Sequence, residues 1–215
     1  MDFQRARTKK QIEERQLDIM NACDTLFDEG DYENVNIKAI SAITTLTRSS
    51  IYTYYKTKDE ILLDILGYEL ADWKEELLVW CQETAPLDAE EFSRQFMNTI
   101  LKREKMVKHY CLLFTLLERN SRLEKLVEFK QKAIPTAGAV VQCVRMNFPN
   151  YSQREASSIA EQIIALVIGL YPVAHLTQNQ KEAIAISKTG YIEPDFESTC
   201  RKGISALVKK GTRNT

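Results

Sequence analysis

With 215 residues the chain exceeds one typical domain and falls short of two, so a small domain joined to a larger one is expected. A formal net charge of -1 excludes a generally basic nucleic-acid coat, and any DNA affinity must come from a local patch. Seven Gly and five Pro leave few turns and predict long helices, while five Cys at 23, 81, 111, 143 and 200, with no CxxC pair and no apolar leader, point to a reduced cytoplasmic compartment.

The first ten residues carry Arg5, Arg7, Lys9 and Lys10 against Asp2, a basic arm suited to phosphates or a minor groove. From Gln11 the spacing of Ile12, Leu17, Met20, Cys23, Leu26 and Phe27 predicts a helix closing near Gly30. Residues 37–61 then read as two short helices and the start of a third. Asn36 caps the first, whose Ile37, Ile40 and Ile43 share a face. Leu46 anchors the turn, and Thr47 caps the second, which runs to about Lys56. This is a helix-turn-helix pattern. At 100° per residue Ile51 and Tyr55 point back at the first helix while Arg48, Ser49, Tyr52, Thr53 and Lys56 point away. Arg reaches guanine edges or phosphate, and hydroxyls reach phosphate or either groove. Thr57 with Glu60 forms a capping-box pattern that opens the third helix and places Lys58 in its first turn, a position suited to phosphate. No Asp or Glu occurs from residue 34 to residue 58, where Lys38, Arg48, Lys56 and Lys58 stand unopposed.

These residues resemble the TetR (tetracycline-repressor-like) transcriptional regulators. Tyr32, Ile40, Leu46, Thr47, Arg48, Ile51, Tyr52, Tyr54, Tyr55, Lys56, Lys58 and Leu62 fall at matching places of that family's N-terminal pattern, over roughly residues 15–66. The chain departs at Ser41, Thr44 and Thr45, where the family usually has Ala, Ala and Gly. A turn that needs positive φ at Thr45 would cost on the order of 1 kcal/mol or more.

Three helices bury too little surface to stand comfortably alone, so the small domain, expected over residues 1–60, should lean on the remainder, 61–215. A helix over residues 58–81, apolar at Ile61, Leu62, Ile65, Leu66, Leu70, Trp73, Leu77 and Trp80, is the expected bridge, roughly 35 Å long at 1.5 Å per residue. After Pro86 come a helix with Phe92, Phe96, Ile100 and Leu101 and another over residues 105–118. Ser121 with Glu124 predicts a second capping box and a long helix to Phe148 with Pro135 inside it. Ser152 with Glu155 predicts a third, opening a helix to about Leu176 that contains Pro172. No period-two alternation and no repeat is visible. The fold class is all-α: an N-terminal three-helix helix-turn-helix domain and a larger C-terminal helical domain for ligand binding and dimerisation.

Residues 163–174 are apolar all round yet too few to span a bilayer, so no membrane role is expected. With an amphipathic last helix over residues 195–210 they form the expected dimer interface, assigned to Ile159, Ile163, Val167, Leu170, Phe196, Cys200, Ile204 and Leu207; an internal core helix is the competing reading. The TetR resemblance implies dimerisation through the last two long helices and a ligand pocket among the others. Trp73, Trp80, His109, Tyr110, Phe114, Met146, Tyr171 and His175 are the candidate lining, against the commoner role of aromatics as core. His109 and His175 are the only histidines and no HxxxH or CxxC spacing occurs, so neither metal nor cofactor is expected. No nucleophile elbow or Gly-rich phosphate loop appears, which speaks against an enzyme.

The reading is a homodimeric DNA-binding regulator, a repressor released from a palindromic double-stranded operator by an unknown small-molecule effector. Arg48, Ser49, Tyr52 and Thr53 address bases or nearby phosphates. Lys38, Thr47, Tyr54, Lys56 and Lys58 hold the backbone, and Lys58→Ala should lower the salt slope of binding by about 1 per protomer. A helical small-molecule carrier without a DNA role is the alternative.

Overall fold

A computed structural model describes residues 8–209, and among these every regular element is helical. The chain forms two compact units: one comprises the N-terminal part through Tyr68 together with Leu112–Lys130, the other Glu69–Cys111 and the chain from Gln131 onward. This departs from the expected boundary at residue 60, because a stretch of sequence from the middle of the chain packs with the N-terminal helices. Arg5 and Arg7 of the basic arm lie outside the described residues, as does Lys210.

In the first unit α1 (Lys9–Asn34) starts at Thr8, whose hydroxyl accepts the Gln11 amide while the Gln11 side chain accepts the Thr8 amide, a full capping box. Helices α2 (Ile37–Ile43) and α3 (Arg48–Tyr54) begin at Asn36 and Thr47, whose side chains accept the amides of Ala39 and Ser50. Seven residues are too few for a helix to hold itself in water. Tertiary anchors do it: Ile40, Ile51, Tyr55, Ile61 and Leu62 have no exposed surface. α4 (Lys58–Thr84) opens in this unit, and a π-helical turn, Leu113–Leu117, leads to α7 (Leu123–Asn147). Here one expectation fails. The Ser121 hydroxyl donates to the Leu117 carbonyl at 2.7 Å, closing the preceding turn instead of capping α7.

The second unit holds the rest of α4 and α7 with α5 (Ala89–Leu101), α6 (Glu104–Leu112, whose last residue joins the π-helical turn), α8 (Gln153–Ala174), α9 (Gln178–Ser187) and α10 (Phe196–Lys209). The Asp88 carboxylate caps α5 through the Glu90 and Glu91 amides, and Ser152 with Glu155 makes the expected box on α8. α10 packs against α5 and α8. Gly203 makes the α8 contact feasible, since a Cβ there would lie 2.5 Å from Leu166 Cδ2. The Tyr151 hydroxyl donates to the Val208 carbonyl at 2.7 Å, and Ser205 donates to Glu90 at 2.8 Å. The core continues through Trp73, Phe92 and Phe96, with the Trp73 indole N–H donating to Thr99 at 3.0 Å. Cys81 and Cys143, 62 residues apart and both buried, are joined by a disulfide, which departs from the expectation of reduced thiols and which no sequence spacing announced.

The apolar run of α8 presents two different sides. Ile159, Ile163, Val167, Phe196, Cys200 and Ile204, expected at a dimer interface, are buried within the single chain, because they form the seam along which α8 and α10 join their own unit. Only Leu170 and Leu207 of the expected set remain half-exposed. Another face of α8 carries exposed Ala165, Gly169, Pro172 and Val173, while half-exposed Leu166 lies against Gly203 of α10. By length and composition α8 is the one helix among the described residues apolar enough to cross a membrane. About 33% of its apolar stretch is buried, along the side that joins its own unit, and one face is left uncovered.

Candidate nucleic-acid interface

The side chains of α3 divide by burial as the 100° spacing requires. Ile51 and the following Tyr55 have no exposed surface, whereas Arg48, Ser49, Tyr52 and Thr53 are exposed on one face. Lys38 is exposed on α2. Thr47 does structural work, since its Oγ1 accepts the Ser50 amide at 3.2 Å and meets the Ser49 and Ser50 hydroxyls at 3.1 and 3.0 Å. Tyr54, expected on the backbone, is only half-exposed, and its carbonyl lies 3.4 Å from an Arg122 nitrogen.

The turn between α2 and α3 needs no left-handed residue: among the described non-glycine residues only Lys188 has positive φ. Hydroxyls shape it instead. Ser41 donates to the Leu46 carbonyl at 2.9 Å, Thr44 donates to the Ile40 carbonyl at 3.0 Å, and the Leu46 amide reaches Thr44 Oγ1 at 3.3 Å. The substitutions at 41 and 44 thus supply side-chain bonds that hold the turn without strain.

Two of the four unopposed cations donate to the protein's own backbone, Lys56 at the surface and Lys58 half-buried. The Lys56 ammonium donates to the Tyr52 carbonyl at 2.6 Å, completing the C-terminus of α3. Lys58 departs further from expectation. Its ammonium donates to the Tyr32 carbonyl at 2.7 Å and sits 3.5 Å from the Tyr32 ring centroid, so it ties the end of α1 to the start of α4. The Tyr32 hydroxyl in turn donates to Asp59 at 2.8 Å; burial and that carboxylate push its pKa upward. The capping box at Thr57 is half-formed: Thr57 Oγ1 accepts the Glu60 amide, but the Glu60 carboxylate turns to the Lys56 amide and to Arg122. A buried group sits beside it. Asp64 accepts from the Tyr55 hydroxyl at 3.0 Å and from the Lys125 ammonium at 2.8 Å. Burial opposes the charge on Lys125, yet hydrogen bonds to Asp64 and Glu128 hold its pKa above the ordinary lysine value. None of these inner partners had a signal in the local sequence.

The helix-turn-helix geometry agrees with family comparison. Residues 19–65 match the model of bacterial regulatory proteins of the tetR family, and residues 68–212 match the tetracyclin repressor-like C-terminal domain. The chain belongs to the TetR family. It is a DNA-binding transcriptional regulator with a ligand-binding domain, in a class of regulators and not of enzymes.

Solved TetR-family structures share the fold. A putative TetR-family transcriptional regulator from Mesorhizobium loti MAFF303099 aligns with a TM-score of 0.56 at 12% identity, covering 95% of this chain and 97% of that one. The transcriptional regulator FadR from Bacillus subtilis, in complex with stearoyl-CoA, aligns with a TM-score of 0.56 at 15% identity over 91% and 98% of the two chains. The fatty acid degradation regulator FadR from Bacillus halodurans aligns with a TM-score of 0.56 at 14% identity over 98% and 100%. No match was found among curated proteins.

In the ligand-binding part of this TetR-family chain, the sequence-based lining residues scatter. Trp73 and Tyr110 do line a narrow apolar cavity of about 10 Å³, together with Phe96, Ile100, Met106, Val107, Ile163, Ile164, Val167 and Ile168. That is room for about one water. The other six candidates lie elsewhere. Trp80 borders a surface groove and donates to Gln95 at 2.6 Å, Met146 borders a separate surface depression, and Phe114 is 64% exposed on the π-helical turn of the first unit. His109 has no exposed surface, and its Nδ1 lies 2.9 Å from Glu69. Tyr171 donates to Glu104 at 2.7 Å and stacks on His175 at 4.1 Å. The lining of this cavity is mostly aliphatic, with Trp73, Phe96 and Tyr110 as its aromatic members. Among the described residues no group of three or more His, Cys, Asp or Glu could hold a metal ion.

Proposed function

We propose that this regulator is a cytoplasmic homodimeric repressor that reads a palindromic operator with α3 and leaves it when a small apolar or amphipathic molecule occupies the aliphatic seam of the second unit. The outward face of Arg48, Ser49, Tyr52 and Thr53 carries the reading. It joins a bidentate donor to three hydroxyls on a helix anchored on its other side by buried Ile51. Arg48 and Lys38 are exposed and, unlike Lys56 and Lys58, are not tied to a backbone carbonyl, so the attraction for phosphate falls first to them.

The dimer follows from the uncovered α8 face. Ala165, Gly169, Pro172 and Val173 leave an apolar strip along the C-terminal half of the helix, and a second copy of the same strip is its natural cover. Two-fold symmetry then supplies a second α3 for the other half-site, about 34 to 36 Å away. The ligand class follows from a lining with no charged side chain. The cavity holds about one water, so a ligand must part the helices around it. A long-chain acyl group, the moiety bound in the FadR complex, is the first class to test.

The deciding experiment is fluorescence anisotropy of the protein against DNA flanking its own gene, with scrambled DNA as control, followed by titration of acyl-CoA species. Selective binding that acyl-CoA reverses supports the whole reading. Equal, weak binding to both DNAs removes it, and selective binding indifferent to every acyl chain removes the ligand class alone.

A further inference from the structure

The two stretches of sequence that build the first unit meet at one carboxylate. Glu60 lies in the first turn of α4 with no exposed surface. Burial opposes its ionisation, but hydrogen bonds from Arg122 and from the Lys56 amide outweigh it and keep the pKa below the ordinary glutamate value. Oε1 accepts the Arg122 amide at 3.1 Å and Nε at 2.6 Å; Oε2 accepts Nη2 at 2.9 Å and the Lys56 amide at 2.7 Å. The same Nη2 lies 3.4 Å from the carbonyl of Tyr54, the last residue of α3. Alongside, the Thr57 hydroxyl donates to the Asn120 carbonyl at 3.2 Å.

One guanidinium therefore touches the end of the reading helix, the start of α4 and the entry to α7. The π-helical turn stands five residues upstream, closed by the Glu118 amide on the Leu113 carbonyl at 3.0 Å. Such turns within helices are frequent at functional sites. α3 is only seven residues long and is set by buried Ile51 and Tyr55 on one side, so its direction depends on what holds its last turn. Bidentate contacts to base edges tolerate little error in that direction.

We propose that Arg122 is a positioning residue for DNA reading: through Glu60 and the Tyr54 carbonyl it fixes the orientation of α3, and loosening this clamp lowers selectivity for the operator. The inference rests on α3 being the reading helix. Arg122 itself touches no DNA in this scheme, which separates it from Arg48.

The test compares wild type with R122K, R122A and the double variant R122A/E60Q, in anisotropy titrations against flanking and scrambled DNA at several salt concentrations, with thermal melting alongside. R122K keeps the charge and loses the forked contact. R122A strands a buried carboxylate and risks unfolding, and E60Q in the double variant relieves that. The expected result is a loss of about tenfold or more in affinity for the cognate DNA by folded R122K and R122A/E60Q, the scale of a lost charge-assisted hydrogen bond. Scrambled DNA should be bound nearly as before and the salt slope should not change. Cognate affinity within twofold of wild type in both folded variants would overturn the proposal, leaving Arg122 a stabilising residue only. A salt slope lower by about 0.9 per protomer would overturn it too, since Arg122 would then contact phosphate directly. Absence of selectivity in the wild type would instead remove the DNA-reading assignment beneath it.

Discussion

The four cations between residues 34 and 58 separate into two classes that a salt titration resolves. Arg48 and Lys38 are exposed with no backbone carbonyl holding them, whereas Lys58 and the exposed Lys56 donate to the carbonyls of Tyr32 and Tyr52. Each phosphate contact contributes about 0.9 to the slope of log affinity against log salt, so Arg48→Ala removes about 1.8 from a dimer on two half-sites. Between 50 and 200 mM salt, wild type should then lose roughly twelvefold more affinity than the variant, from 4 raised to 1.8. Lys58→Ala should leave the slope within about 0.3 of wild type, because its ammonium is already occupied. Its effect should appear in stability. A charge-assisted hydrogen bond and a cation–π contact together amount to about 2–4 kcal/mol, seen as a lower melting temperature of the first unit. The assay is anisotropy at four salt concentrations on one DNA, with each variant's active fraction determined by stoichiometric titration. A slope change for Lys58→Ala equal to that for Arg48→Ala would show that the lysine leaves Tyr32 for phosphate on the DNA, and the division into two classes would be wrong.

Reduction of the Cys81–Cys143 disulfide should destabilise the second unit by about 4 kcal/mol on the chain-entropy account of a 62-residue separation. Both tryptophans, Trp73 and Trp80, belong to that unit, so their fluorescence in a urea titration with and without reductant reads the change. Glu60 has a depressed pKa in the folded protein, so its contribution is complete above the unfolded value near 4.5 and disappears as pH falls through the lower folded value. Acid titration of wild type followed by circular dichroism should show a loss below about pH 4.5 that Glu60→Gln flattens. Ala165→Glu on the uncovered face of α8 should convert dimer to monomer in light scattering while leaving helicity intact, since the side chain is exposed in the single chain. An unchanged mass would move the interface elsewhere.

The helix-turn-helix was legible because its determinants are local. Asn36 and Thr47 are caps within three residues of what they bond, and Ile51 and Tyr55 share a face by helical period alone. What lay beyond reach was decided across the fold. Nothing near Glu60 announces Arg122, and Lys58 occupies the first turn of α4 whether its ammonium faces solvent or Tyr32. Ser121 with Glu124 has the letters of a capping box, yet the π-helical turn brings the Leu117 carbonyl within reach of the hydroxyl and takes it first. Along α8 the difficulty was different: a run apolar on every side has no pattern to tell the seam with α10 from the face left open, so Ile163 and Ala165 read alike. The cavity escaped an aromatic search because Ile100, Ile163, Val167 and Ile168 are indistinguishable in sequence from ordinary core. α9 escaped because it buries no residue and so leaves no apolar periodicity to find.

The discontinuity of the first unit bears on how the protein is made. Its N-terminal helices leave the ribosome first, but Glu60 and Asp64 meet their partners Arg122 and Lys125 only 62 and 61 residues later. At about 5–20 residues per second that interval is several seconds, during which two carboxylates destined for burial have no counter-charge and stay hydrated. The short reading helices are therefore among the first parts synthesised and among the last secured. A nascent chain arrested before residue 122 should bind operator poorly even with every DNA-facing residue already in place.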